Sequence, residues 1–176
     1  MRALLNSLNE DLILEKSKLL VGHLKKLFIS LAPLNHDHPI GVFAPMKREP
    51  NWRHGFEWAG DFAFPAISSE GAMLFKRCAF DQLEVKSDFG VELLGPPKSA
   101  AVVTPQVLLI PGLAFSLKGE RLGKGKGYYD KYLDNFKGLK IGLAFNEQIF
   151  PSVPVEAHDH LMDWIVSDSE VLESRR

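Results

Sequence analysis

The chain has 176 residues, of which 45% are apolar and 24% charged, the balance of an ordinary soluble globular protein of one domain. Its net charge of -1 excludes an overall field that attracts nucleic acid or an acidic membrane. Asn9, Glu10 and Asp11 interrupt the N-terminal leucines, and no apolar run reaches the roughly 18 residues that span a bilayer, so we expect no signal peptide or membrane anchor. A single cysteine, Cys78, forms no internal disulfide; we expect a small buried hydrophobe in a cytoplasmic protein.

The first predicted element is an amphipathic helix over residues 8 to 31. Leucines recur there at helical spacing, with lysines on the opposite face: Leu12, Leu19, Leu20, Leu24, Leu27 and Leu31. Pro33 and the polar stretch NHDHP end the helix. That stretch contains three side chains of the kinds that bind metals, His36, Asp37 and His38. Because the sequence shows no further ligand for such a site, we interpret the stretch as a solvated loop.

Five short apolar runs follow, and each predicts a buried strand: residues 40–44, 62–67, 107–110, 140–145 and 164–166. Between the third and fourth runs, YYDKYLDNF (128–136) has helical spacing of its aromatic residues, so strand, glycine loop, helix and strand form a βαβ unit. We therefore expect an α/β fold over residues 1–176 as one domain: three α/β/α layers around a mostly parallel central sheet, Rossmann-like.

The glycine loop within GERLGKGKGYYDKYL (119–133) has the composition of an anion site. Peptide N–H groups at the start of a helix have no intrahelical partner, and glycines let the preceding chain approach a ligand closely. Arg121, Lys124 and Lys126 add positive charge, which suits a polyphosphate. Asp130, in the first turn of the predicted helix, is placed to hold Mg²⁺ between phosphate oxygens.

Other interpretations stay open at this point. The spacing G-x-G-x-G matches neither the P-loop nor the dinucleotide fingerprint, and a flexible loop with solvated lysines accounts for it too. Cations interleaved with tyrosines also grip single-stranded RNA, although the net charge argues against this. An aromatic-rich stretch is interpreted mainly as core, with one or two rings against a ligand: Trp52, Phe56, Trp58, Phe62 and Phe64.

Residues 108–133, LLIPGLAFSLKGERLGKGKGYYDKYL, closely resemble the signature of the 5-formyltetrahydrofolate cyclo-ligases, also called methenyltetrahydrofolate synthetases. That signature runs P-G-[LV]-A-F-D-x-x-G-x-R-L-G-x-G-x-G-Y-Y-D-x-x-L. Three further segments resemble family segments in the same order: GVFAPMKRE (41–49), FAFPAISSEGAMLF (62–75) and LAFNEQIFPSVPVEAHDHLMD (143–163). The resemblance covers most of the chain from about residue 40 onward.

The resemblance implies ATP- and Mg²⁺-dependent conversion of 5-formyltetrahydrofolate to 5,10-methenyltetrahydrofolate, with release of ADP and phosphate. The formyl oxygen would attack the γ-phosphate, N10 would then attack the formyl carbon, and phosphate would leave. Such phosphoryl transfer is mainly a positioning and charge-stabilising problem. We expect a cytoplasmic monomer that binds a reduced folate and neither nucleic acid nor membrane.

The resemblance also implies site residues by position. The ATP-binding loop comprises Arg121, Leu122, Gly123, Lys124, Gly125, Lys126, Gly127, Tyr128 and Tyr129. Catalytic roles fall to Arg121, Lys126 and Tyr128, and substrate contacts to Glu49, Lys124 and Tyr128. Asp130 and Asp159 look like the magnesium carboxylates, while His160 is expected to be structural.

Three positions depart from the family pattern. Ser116 stands where the family usually has aspartate, and Trp52 where a threonine commonly follows the substrate glutamate. The family's first helix usually carries K-x-x-x-R, for which only Arg2 is available here. A catalytically impaired paralogue that binds folate or nucleotide without turnover is therefore the alternative function.

Overall fold

A computed structural model of the protein describes residues 5, 7–31, 38–54, 61–88, 91–156 and 159–174. Arg2, His36, Asp37, Phe56, Trp58 and His158 lie outside these residues. The described elements are, in chain order, α1 Glu10–Ser30, β1 Ile40–Gly41, β2 Phe62–Ile67, β3 Met73–Arg77, β4 Glu84–Asp88, β5 Val91–Gly95, β6 Val102–Val103, β7 Val107–Pro111, β8 Ala114–Ser116, β9 Arg121–Leu122, α2 Tyr128–Leu133, β10 Leu139–Leu143, β11 Ile149–Phe150, β12 Trp164–Val166 and β13 Val171–Glu173. Short 3-10 turns occupy Phe80–Gln82 and Asn146–Gln148.

An eight-stranded sheet in the order β13-β12-β10-β7-β1-β2-β3-β6 forms the centre of the fold. Its five central strands, β12, β10, β7, β1 and β2, are parallel to one another. The flanking strands β13 and β3 pair antiparallel with their neighbours. Strands β7 and β10 pair in parallel from Leu139↔Val107 to Leu143↔Pro111, with α2 between them in the chain. The predicted βαβ unit and the mostly parallel sheet are confirmed.

Helices cover both faces of this sheet, because successive side chains of a strand point to opposite sides. Val107 and Leu109 of β7 pack in the core cluster that contains Leu20 and Leu24 of α1. Leu108 and Ile110 pack in the opposite cluster with Leu133 of α2 and Phe136 just beyond it. The three α/β/α layers are therefore as the sequence predicts.

The structure narrows the predicted leucine stripe of α1. Asn9 caps the helix by accepting a hydrogen bond from the Leu12 N–H at 2.8 Å, and Glu10 and Asp11 complement the helix dipole in the first turn. Leu20 and Leu24 are fully buried, but Leu19 is 52% exposed. At 3.6 residues per turn Leu19 lies to one side of the buried face, so its assignment to that face was wrong. The same holds for Leu12, which is 36% exposed.

Several predicted boundaries shift by a few residues. The runs 62–67 and 164–166 are confirmed, and 107–110 gains Pro111. Strand β1 ends at Gly41 rather than 44, although the Val42 N–H still donates to the Ala63 carbonyl at 2.8 Å. Strand β10 occupies Leu139–Leu143 instead of 140–145, and α2 ends at Leu133 because Asn135 and Phe136 form only i−3 turn bonds.

The interpretation of the aromatic stretch as core is confirmed for the residues that the structure describes. Trp52 is 2% exposed, and its indole N–H donates to the Phe43 carbonyl at 2.8 Å. The rings of Phe62 and Phe64 lie 5.0 and 6.5 Å from that of Trp52. Cys78 is buried as well, and burial raises the pKa of its thiol. None of the described helices has the length and apolar character needed to cross a membrane.

Replacing Leu24 by alanine should lower the free energy of unfolding by about 2–5 kcal/mol, since the side chain is fully buried and leaves a cavity. The matched change Leu19→Ala should stay within about 0.5 kcal/mol of the parent. Urea denaturation measures both, and equal losses would contradict this assignment of the buried face.

Candidate active site

The glycine loop and Glu49 lie at the carboxyl edge of the parallel strands, whereas Asp159 lies in the segment before β12. The segments that follow β1, β7, β10 and β12 all leave the sheet at this edge. In open α/β sheets the crevice for a ligand lies at the carboxyl ends of the strands. The glycine loop, Glu49 and the turn Asn146–Gln148 all belong to these segments.

A hairpin of β8 and β9 brings the chain from β7 to the glycine loop. Strand β8 pairs antiparallel with β9, and the Leu113 N–H donates to the Leu122 carbonyl at 2.8 Å. In the hairpin turn, the buried Ser116 Oγ accepts hydrogen bonds from the N–H groups of Lys118 and Glu120, both at 3.2 Å. A hydroxyl thus supplies the acceptor at the position where the family usually has a carboxylate.

Two glycines of the loop have left-handed backbone conformations that other residues rarely adopt. Gly125 has a φ of 87°, and Gly127, the N-cap of α2, has a φ of 66°. The helix then begins with the Lys131 N–H donating to the Gly127 carbonyl at 3.2 Å. Helix α2 has only six residues, so the expected anion binding would depend on the peptide N–H groups of its first turn rather than on a long helix dipole.

Arg121 lies beneath the loop rather than at its surface. Its side chain is 6% exposed, and the guanidinium forms an ion pair with Asp130 Oδ1. Nη1 also donates to the Pro111 carbonyl at 3.4 Å, and Cζ lies 5.5 Å from the centre of the Tyr129 ring. A Cβ on Gly123 would approach Arg121 Nη1 to 3.0 Å. Arg121 therefore connects the end of β7 to the first turn of α2, while its role toward phosphate stays a prediction.

Lys124 and Glu49, separated by 75 residues, are in contact. Lys124 Nζ forms an ion pair with Glu49 Oε1 and lies 3.2 Å from Met46 Sδ. Glu49 Oε2 accepts a hydrogen bond from the Met46 N–H at 2.9 Å. The structure thus brings together two residues to which the sequence assigns substrate contacts, although the contacts themselves stay predictions.

The remaining residues of the loop differ in exposure. Lys126 is exposed and Tyr128 partly exposed, as groups that reach a ligand must be. Tyr129 points inward toward Arg121, and burial raises the pKa of its hydroxyl well above the ordinary value, against a lowering by Arg121. Tyr129 is therefore a neutral group packed against Arg121, while its expected nucleotide contact stays a prediction.

The two predicted magnesium carboxylates each have one oxygen already engaged. Asp130 Oδ1 contacts Arg121, and Asp159 Oδ2 accepts the Glu156 N–H at 2.7 Å. His160 Nε2 lies 3.0 Å from Asp134 Oδ1, which places this segment against α2 and supports the expected structural role of His160. No group of three or more His, Cys, Asp or Glu side chains in the described ranges is arranged to hold a metal. Since Mg²⁺ bound to phosphates needs only one or two carboxylates, the donors fit this ion.

A cleft of about 240 Å³ beside Glu49 is a feature that the sequence interpretation missed. Glu10, Ile13 and Leu14 of α1 form one wall, and residues 45–54 form the other. The i, i+3, i+4 spacing of these α1 residues was a usable signal, but the sequence interpretation assigned them no role. Through the Lys124–Glu49 contact the cleft adjoins the glycine loop.

Asn51 and His54 add polar groups to the cleft. Asn51 Nδ2 lies 3.0 Å from His54 Nε2, and the Asn51 N–H donates to Ser17 Oγ at 3.1 Å. Burial, followed by the charges of Lys18 and Arg53, lowers the pKa of His54. The imidazole is therefore neutral near pH 7.

Residues 1–168 match the model of the 5-formyltetrahydrofolate cyclo-ligase family. The chain belongs to this family. It is 44% identical over 66 residues to a 5-formyltetrahydrofolate cyclo-ligase of Mus musculus and 43% identical over 68 residues to one of Saccharomyces cerevisiae. Each match covers 34% of this chain and 32% of the relative, so the chain matches about a third of the length of these curated relatives.

Solved structures extend the family likeness over the whole fold. The NMR structure of Aquifex aeolicus 5,10-methenyltetrahydrofolate synthetase has a TM-score of 0.77 and 26% identity, covering 99% of this chain and 91% of that one. A 5,10-methenyltetrahydrofolate synthetase from Mycoplasma pneumoniae has a TM-score of 0.68 over 94% of this chain and 93% of its own; at 19% identity it supports the fold alone.

Replacing Gly127 by alanine should lower the free energy of unfolding by about 1–2 kcal/mol, because a Cβ is strained at this positive φ. Gly22 in α1 is the control: nothing lies within 4 Å of a Cβ there, and alanine should raise stability by up to about 1 kcal/mol. Urea denaturation measures the free energy of unfolding of both variants. A stabilising effect of Gly127→Ala would contradict the left-handed conformation of the N-cap.

Proposed function

We propose that the protein converts 5-formyltetrahydrofolate to 5,10-methenyltetrahydrofolate in a reaction that consumes ATP, requires Mg²⁺ and releases ADP and phosphate. The contact between Lys124 and Glu49 carries the proposal, since it places the glycine loop beside a cleft next to the family's substrate glutamate. Membership of the cyclo-ligase family supports the reaction type. A cytoplasmic monomer is part of this proposal.

The glycine loop would bind the triphosphate. Lys124 and Lys126 are exposed cations, and the first-turn N–H groups of α2 have no intrahelical acceptor. The left-handed Gly125 and Gly127 keep the backbone open, since no atom lies within 4 Å of a Cβ at either position. These groups would hold the γ-phosphate in line with the formyl oxygen, which is the main requirement of phosphoryl transfer.

Asp130 and Asp159 would hold Mg²⁺, which neutralises charge on the phosphates when bound. Arg121 contacts Asp130 through Oδ1, so the same carboxylate would serve both the guanidinium and the ion. In this arrangement Arg121 fixes the orientation of the carboxylate and acts on the nucleotide through it. The buried guanidinium also adds positive charge beneath the loop.

The cleft would hold the folate. Its apolar wall of Ile13, Leu14 and Met46 suits the aromatic parts of the substrate, while Glu49 offers an acceptor for its N–H groups. Once the formyl oxygen carries the phosphoryl group, N10 attacks the formyl carbon, the phosphate departs with the oxygen, and N10 loses its proton. Enclosure of this step away from water would prevent hydrolysis of the activated formyl group.

The direct test mixes the purified protein with 5-formyltetrahydrofolate, ATP and Mg²⁺. The near-ultraviolet absorbance of 5,10-methenyltetrahydrofolate should appear, with one ADP formed per product molecule, and should not appear when ATP or Mg²⁺ is omitted. Binding of both ligands without product would instead establish the catalytically impaired paralogue. Failure to bind either ligand would refute both functions.

Single substitutions should separate the nucleotide and folate roles. Lys126→Ala should raise the KM for ATP about tenfold or more by removing a charge-assisted contact, with the folate KM within about twofold. Glu49→Gln should raise the folate KM about tenfold or more and leave the ATP KM within about twofold. Lys131→Ala, at an exposed position of α2, is the matched control and should change neither constant.

Steady-state kinetics with each substrate varied in turn measures these constants. A Lys126→Ala variant that loses ATP and folate affinity equally would contradict the division of roles between the loop and the cleft.

A further inference from the structure

A partly buried ionic cluster at the carboxyl edge of the sheet has no part in the function proposed above. Lys16 Nζ of α1 lies 2.9 Å from Glu147 Oε1 and 2.7 Å from Asp168 Oδ2. The side chains of Lys16 and Asp168 are only 14% and 7% exposed. Burial lowers the pKa of Lys16, but hydrogen bonds to the two carboxylates outweigh it and raise the pKa, so the lysine is charged.

The neighbours of Lys16 on α1 form one wall of the cleft. Ile13 and Leu14 line the cleft directly, and Ser17 Oγ accepts the N–H of Asn51 from the opposite wall at 3.1 Å. Lys16 therefore lies at the point where this helical wall is attached to the sheet. A shift of the helix at Lys16 would move the wall relative to Glu49.

The other side of the cluster leads toward the glycine loop. Asp168 Oδ1 accepts the Asn146 N–H at 2.7 Å, at the start of the turn that contains Gln148. The buried Gln148 Nε2 donates to the carbonyls of Gly112 and Leu113 at 2.9 and 3.3 Å. These residues directly follow β7, whose last carbonyl, at Pro111, accepts from Arg121 beneath the loop.

We propose that Lys16 is a positioning residue, which through Asp168 and Glu147 fixes the α1 wall of the cleft relative to the strand ends that carry the glycine loop. This inference rests on the proposed function, because the cleft is the folate site only there. Lys16 would act on folate affinity through the position of Ile13 and Leu14, without touching the substrate.

The charge arrangement decides how this lysine has to be tested, because removing it alone affects folding as well as position. One cation faces two carboxylates, and Glu147 Oε2 has no hydrogen-bond partner in its buried position. Neutralising all members of such a cluster leaves no lone buried charge, whereas removing one partner leaves a buried charge uncompensated. A variant that neutralises all three residues therefore separates folding from positioning.

The test compares the parent with Lys16→Met, Lys16→Arg and the triple variant Lys16→Met, Glu147→Gln, Asp168→Asn. Lys26→Met, at an exposed position of α1, is the matched control. The triple variant and Lys16→Met should raise the folate KM and Kd on the order of tenfold, with kcat and the ATP KM within about twofold. Lys16→Arg should restore most of the folate affinity, and Lys26→Met should change nothing.

Each outcome has a defined meaning. An unchanged folate Kd in the folded triple variant, or equal rises in the ATP and folate constants, would overturn the positioning role even if Lys16→Met fails to fold. A parent protein that binds folate but does not turn it over would refute the proposed reaction only, and the Kd values measured by calorimetry would still decide on Lys16. A parent that binds no folate would overturn both.

Discussion

The buried guanidinium of Arg121 is the interaction on which the site depends. A charge this deep is stable only with compensating partners, and Asp130, the Pro111 carbonyl and the Tyr129 ring provide them. Those partners come from the end of the central strand β7 and from the first turn of α2. By satisfying Arg121 the fold also fixes where the glycine loop begins and ends, and the missing Cβ of Gly123 leaves room for the guanidinium.

The exposed charges of the site are arranged differently from the buried ones. Lys124 is 45% exposed and contacts Glu49, whose side chain is 13% exposed, so solvent and salt weaken this pair. Breaking this ion pair would therefore change the free energy of the protein only slightly. The buried pair thus fixes the shape of the loop, and the more exposed Lys124–Glu49 pair joins the loop to the cleft.

Sequence patterns predicted the fold well where one physical rule dominates. Continuous apolar runs predicted the parallel strands, because both faces of the sheet are covered, and the glycine loop was placed correctly before α2. The strands β3, β4, β5, β6, β8, β9, β11 and β13 escaped prediction, because each of them is only two or three residues long or contains charged residues that interrupt an apolar run. Within the site, the Lys124–Glu49 contact and the cluster around Lys16 depend on tertiary geometry between distant segments. No local spacing encodes the burial of Arg121 either, since the same arginine would suit an exposed phosphate contact.

The hairpin turn at Ser116 has a consequence for acid tolerance. An aspartate accepting the same two N–H groups would depend on its ionised form, and because those hydrogen bonds lower its pKa, it would lose part of their strength only in strong acid. The Ser116 hydroxyl accepts the N–H groups of Lys118 and Glu120 without a titrating group. This support of the segment that leads to Arg121 therefore does not depend on pH, even in the strong acid that would protonate a carboxylate at the same position.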